Sequence, residues 1–218
     1  MGVKMEAKIS EFKNGIFDVE GTLIDNKRFY RWIISKISLG IEPNNSELSL
    51  PTAGMPLPRW AKFLHQSQSL TNFVLGAERK ILRLLDLIDQ KDAKLFEGTK
   101  EVLYHFKQKK IRLFATTGGR TQKTILRLKK AGVLELFTLV IGSDLPKREH
   151  FKLFAKNLNL PLEDFVKETF LVSDGPVDLT LAARKGIYPI GISTTFKRKY
   201  LLKAGAKRVI SDLREIVA

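Results

Sequence analysis

From about position 95 onward, short apolar, β-branched runs alternate with helical patterns, and that alternation constrains the fold more than any other feature of the chain. The periodicity predicts helices over 99–108, 121–131, 149–158 and 177–185. Strands are predicted over 111–116, 136–141, 169–173 and 187–192, followed by a short helix over 197–204, a strand over 208–210 and a last helical turn. The strands are apolar on both sides, as in a parallel sheet buried between two layers of helices. Residues 16–19 supply the missing first strand. Between Ile24 and about Ala93 the pattern changes to two helical stretches, 27–38 and 70–89. The segment between them carries Pro43, Pro51, Pro56 and Pro58 and cannot be continuous helix. The expected division is a core of residues 1–24 plus 94–218 and a helical insertion over 25–93, placed to act as a lid at the carboxyl end of the sheet.

Composition narrows the chemistry. The 218 residues contain no cysteine, which removes disulfides, thiolate nucleophiles and cysteine-ligated zinc. His65, His105 and His150 are scattered and read as surface or boundary residues. What remains is carboxylate chemistry, and a metal held by such oxygens is a hard cation, Mg²⁺ where phosphate is handled. No apolar stretch has the length of a bilayer span and the N-terminal residues form no apolar signal core, so a cytoplasmic protein without a membrane role is expected. The formal charge of +15 is concentrated after position 100. Such a field would draw anionic partners. No nucleic-acid motif accompanies it, so nucleic acid is not the favoured partner. Lys123, Arg127 and Lys130 recur on one face of a predicted helix and read as its exposed side.

The candidate site begins at Phe17-Asp18-Val19-Glu20-Gly21-Thr22-Leu23, an apolar strand ending in two carboxylates and a glycine turn. Side chains two apart on a strand share a face, so Asp18 and Glu20 are expected to project together from the carboxyl end, where open α/β sheets keep their ligands. Thr117 follows a second strand, Lys147 stands at a helix start, and Ser173-Asp174-Gly175-Pro176-Val177-Asp178 follows a third. Thr116 and Thr117 compete for the same place. Thr117 is chosen because it follows the apolar run and precedes Gly118-Gly119.

These four motifs, in this order, resemble those of the haloacid dehalogenase-like hydrolase superfamily, most of whose members are Mg²⁺-dependent phosphatases. The ending Leu201-Leu202-Lys203-Ala204-Gly205-Ala206-Lys207 is similar to the tail of the phosphoglycolate phosphatase and phosphoglucomutase-like branch. The resemblance implies a Rossmann-like parallel sheet core with an inserted helical cap, and hydrolysis of a small phosphorylated metabolite. It implies Asp18 as nucleophile and Glu20 as general acid and base, with Mg²⁺ held by Asp18, Asp174 and the Glu20 carbonyl. Thr117 and Gly118, the latter at a helix N-terminus, would bind phosphate. Lys147 would supply positive charge, and Asp178 would orient Lys147 or a metal-bound water.

The sequence departs from the family pattern at Glu20, where aspartate is commoner. It also lacks the proline-rich run that often follows the family lysine, which leaves Arg148 and Lys152 as alternatives to Lys147. A phosphotransferase or sugar phosphomutase of the same fold would use the same residues. A basic binding protein with a decayed site is the reading from another class. Substrate and oligomeric state are not legible.

Overall fold

In the computed structural model, residues 8–25 and 94–217 are described. Eight strands appear among them: β1 (Asn14–Asp18), β2 (Ile24–Asp25), β3 (Lys94–Leu95), β4 (Arg112–Thr116), β5 (Phe137–Ile141), β6 (Thr169–Ser173), β7 (Tyr188–Ile192) and β8 (Arg208–Ile210). The helices are α1 (Thr99–Gln108), α2 (Thr121–Lys130), α3 (Lys147–Asn157), α4 (Leu162–Lys167), α5 (Pro176–Lys185) and α6 (Arg198–Lys203). Six strands form one parallel sheet in the order β5-β4-β1-β6-β7-β8. The chain therefore builds outward from β1 on one side, returns, and builds outward on the other. The reversal falls beside β1 and opens a crevice at the carboxyl ends of β1, β4 and β6.

The period-2 alternation of β1 divides the core into two layers. Phe17 and Val19 join Phe106, Leu128 and Phe170 on one face, covered by α1, α2 and the 3-10 turn Leu213–Ile216. Ile16 joins Phe114, Phe154, Phe165 and Leu171 on the other, covered by α3 to α6. Both layers are fully enclosed, as a doubly covered sheet requires.

One helix and two strands go beyond the predicted ones. Helix α4 buries Phe165 and Val166, but six residues are too few to display a helical period. Strands β2 and β3 form a two-residue antiparallel ladder, Ile24 with Leu95 and Asp25 with Lys94, that joins the two ends flanking residues 26–93. The predicted helices at 27–38 and 70–89, and Trp32, Trp60, Phe63 and His65, lie outside the described residues. No helix among the described residues is long and apolar enough to cross a membrane.

Candidate active site

Asp18 is the last residue of β1 and is buried. By alternation it shares the face of Ile16, which is the face that α3 covers. Its Oδ1 accepts a hydrogen bond from Lys147 Nζ at 2.9 Å. The same ammonium donates to Asp178 Oδ2 at 2.5 Å, and Ser173 Oγ also donates to that oxygen. Burial opposes the charge on Lys147, yet Asp178 and Asp18 outweigh it and hold the ammonium well above the ordinary lysine value. Burial raises the Asp18 carboxyl well above the carboxylate range; Lys147 pulls the other way, and Asp178, Asp174 and Glu20 add to the rise.

Glu20 does not continue the strand, and this corrects the expectation that Asp18 and Glu20 share a strand face. After Asp18 the chain folds back, with the amides of Leu23 and Ile24 both donating to the Val19 carbonyl and that of Gly21 to Ile24. The carboxylate of Glu20 therefore takes different partners. Arg127 donates to Oε1 at 2.7 Å, and the Thr117 hydroxyl donates to Oε2. The Thr117 oxygen in turn accepts from the Gly119 amide at 2.8 Å. Thr116 points away, its hydroxyl 2.8 Å from His150 Nδ1.

Arg127 is a second correction. Its side chain is only 7% exposed, because α2 buries Thr124, Arg127 and Leu128. His150 is a third: it is fully buried, with Nε2 3.0 Å from the Leu145 carbonyl, and burial lowers its pKa. The Leu145 bond ties the approach of α3 to its first turn, and the Thr116 bond ties α3, and so Lys147, to the end of β4. Gly118 is a fourth. It is exposed and lies three residues before α2 begins at Thr121, so it is not at the helix N-terminus.

Asp174 follows β6 and is buried. Its amide donates to Thr22 Oγ1 at 3.1 Å, and that hydroxyl faces Asp174 Oδ1 at 3.5 Å. Oδ2 is buried and has no hydrogen-bond partner among the described residues. It sits where a side chain on Gly21 would stand, 2.1 Å from an added Cβ, and Gly21 has a φ of 77°. Both the turn and the close approach exclude any other residue there. Burial pushes Asp174 up to about 6.

A metal is testable against this donor set. A buried carboxylate oxygen without a proton donor is costly unless a cation faces it. Asp18, Asp174 and the Glu20 carbonyl offer only oxygen, which suits Mg²⁺. Among the described residues no three His, Cys, Asp or Glu side chains cluster as metal ligands, so main chain and water would complete the shell. Arg148 and Lys152 both pair with Glu149, at 3.6 and 2.9 Å, on the outer side of α3. Sequence reasoning gave Thr22 and Arg127 no role at the site. The motif around Asp18 contained the first, and only the helical phase of Thr124 and Leu128 hinted at the second.

A family profile described as haloacid dehalogenase-like hydrolase matches residues 15–192. Over 212 residues, 94% of this chain and 96% of the relative, the sequence is 24% identical to a validoxylamine A 7′-phosphate phosphatase from Streptomyces hygroscopicus subsp. limoneus. The fold is similar to that of a haloacid dehalogenase-like hydrolase from Bacteroides fragilis, with a TM-score of 0.77, 19% identity, and coverage of 94% of this chain and 99% of that one. It is also similar to a predicted phosphoglycolate phosphatase from Haemophilus somnus, with a TM-score of 0.73, 18% identity, and coverage of 95% and 97%. With the profile spanning most of its length, the chain belongs to the haloacid dehalogenase-like hydrolase family.

Proposed function

We propose that the protein is a Mg²⁺-dependent phosphatase acting on a small phosphomonoester through an aspartyl phosphate on Asp18, with residues 25–93 as a cap over the core. The observation that carries this reading is the convergence of buried Asp18 with Lys147 and with the unpartnered Oδ2 of Asp174 at the crevice beside β1. The family supports it, and the relative named for a 7′-phosphate supports a small phosphorylated substrate.

A phosphomonoester repels an anionic nucleophile, so its charge must be offset before Asp18 can attack. Lys147 offers a fixed positive charge beside Asp18, and Asp178 keeps that ammonium in place. Asp18, Asp174 and the Glu20 carbonyl would hold Mg²⁺, which when bound offsets phosphate charge and orients its oxygens. The Thr117 hydroxyl and the Gly118 amide would bind phosphoryl oxygens, the hydroxyl turning from Glu20 to do so. Asp18 then forms a bond to phosphorus as the ester P–O bond breaks, and Glu20, protonated on Oε2 once Thr117 has turned to the phosphate, gives that proton to the leaving oxygen. Glu20 next takes a proton from water, which attacks phosphorus, frees Asp18 and releases phosphate.

The test is phosphate release from sugar phosphates, phosphoglycolate, nucleotides and an aryl phosphate, with and without Mg²⁺, by the wild type and by Asp18→Asn. Release that needs both metal and Asp18 is expected. Release that survives Asp18→Asn would overturn the reading, and phosphoryl transfer to a sugar hydroxyl in place of water would establish the phosphotransferase instead.

A further inference from the structure

We propose that Arg127 is a positioning residue for proton transfer: it grips one oxygen of Glu20 so that the other is presented to the leaving group. The inference rests on the phosphatase reading above and concerns a residue that reading does not use.

Glutamate carries one more methylene than aspartate and one more free torsion, so its carboxylate has further to wander. Here both oxygens are held, Oε1 by Arg127 and Oε2 by Thr117. The two grips are unlike. Thr117 belongs to the set proposed to bind phosphate, so a substrate draws its hydroxyl away and releases Oε2. Arg127 comes from α2, is almost completely buried, and has no such competing task in the proposed reaction. With Oε1 still held, Oε2 becomes the oxygen that moves the proton. The Arg127 to Oε1 bond then acts as the pivot that sets its direction.

Burial makes this costly and specific. A guanidinium taken out of water loses solvation that a facing carboxylate must offset. The loop after β4 passes close to this carboxylate. A Cβ on Gly119 would stand 3.3 Å from Thr117 Oγ1 and 3.5 Å from Glu20 Oε1. A lysine at 127 would keep the charge without the planar geometry that fixes direction.

The experiment compares kcat/KM for an alkyl phosphate, whose leaving oxygen needs a proton, with that for 4-nitrophenyl phosphate, whose leaving group does not. Because kcat/KM covers only the steps through transfer to Asp18, slow release of phosphate does not mask the difference. For Arg127→Ala the alkyl value is expected to fall on the order of 10- to 100-fold while the aryl value changes little. Glu20→Gln should show the same selectivity, and the double variant should lose no more than Glu20→Gln alone. Arg127→Lys keeps a buried charge if the alanine variant fails to fold, and an intermediate alkyl-to-aryl ratio is expected from it. An equal fall for both substrates in the folded variants would overturn the positioning role and leave Arg127 as a packing ion pair. Absence of Asp18-dependent release from any substrate by the wild type would overturn the phosphatase reading and this inference together.

Discussion

Two cations reach the end of β1 from opposite faces of the sheet, and they are held in opposite ways. Lys147 comes from α3, whose Phe151 and Phe154 pack on the face of Ile16, and its ammonium lies between Asp18 and Asp178. Arg127 comes from α2, whose Leu128 packs on the face of Phe17, and pairs with Glu20. The lysine side chain is 26% exposed and the arginine 7%. An ammonium is a compact charge that several oxygens can share, whereas a guanidinium is a rigid fork that fixes its partner's direction. The contrast teaches that charge compensation and orientation are separable tasks here, one from each layer of helices.

The largest effect that would break this comparison is on Lys147. Lys147→Met removes the fixed charge beside Asp18 and is expected to lower kcat/KM by about 10²- to 10³-fold. The loss should be alike for alkyl and aryl phosphates, because charge on the phosphoryl group is common to both. A loss confined to alkyl phosphates would give Lys147 the task assigned to Arg127 and collapse the distinction.

A smaller effect concerns Asp174, whose carboxylate lies beside Thr22. Burial pushes its carboxyl up to about 6 from an ordinary 3.8. Across that window the metal-free folded protein keeps a proton that the unfolded chain has released, so stability falls as pH rises through it. Asp18, also raised by burial, acts in the same direction. Lys147 stays charged throughout and adds no slope there. Mg²⁺ binds the ionised carboxylates, so the stabilisation it brings should grow as pH rises through the same window. Thermal melts should show a clear Mg²⁺-dependent rise in Tm at neutral pH and little below the ordinary aspartate value. Asp174→Asn should abolish the Mg²⁺ shift and reduce the pH slope of the metal-free protein to the part that Asp18 carries. A metal shift that persists in that variant would remove Asp174 from the donor set.

What could be read in the sequence follows the range of the forces involved. Strand β6 over Thr169–Ser173 and strand β8 over Arg208–Ile210 fall where β-branched runs put them, because local pattern and burial agree there. Strands β2 and β3 were not legible, since a two-residue ladder between positions 25 and 94 has no period. The carboxylates and lysine of the site were legible as motif positions. Their partners were not. Arg127 looked like one more base on a basic helix, and only the half-buried Glu20 just past the end of β1 explains why it turns inward. His150 was hidden for the same reason, its partners Thr116 and Leu145 lying on a different strand end and a loop.

The smallest expected effect sharpens the same comparison. Sequence reasoning left Lys147, Arg148 and Lys152 as rival cations, and they differ in the structure by their phase around α3. Lys147 turns inward to Asp18, while Arg148 and Lys152 flank Glu149 on the solvent side, 71% and 55% exposed. Exposed pairs of this kind are weakly coupled and screened by salt. Arg148→Ala and Lys152→Ala should therefore leave kcat/KM, its Mg²⁺ dependence and the alkyl-to-aryl ratio unchanged. A fall in either variant that approached the Lys147→Met loss would place a second cation beside Asp18. The site would then draw its charge from two positions on α3, and the division of one cation to each face of the sheet would no longer hold.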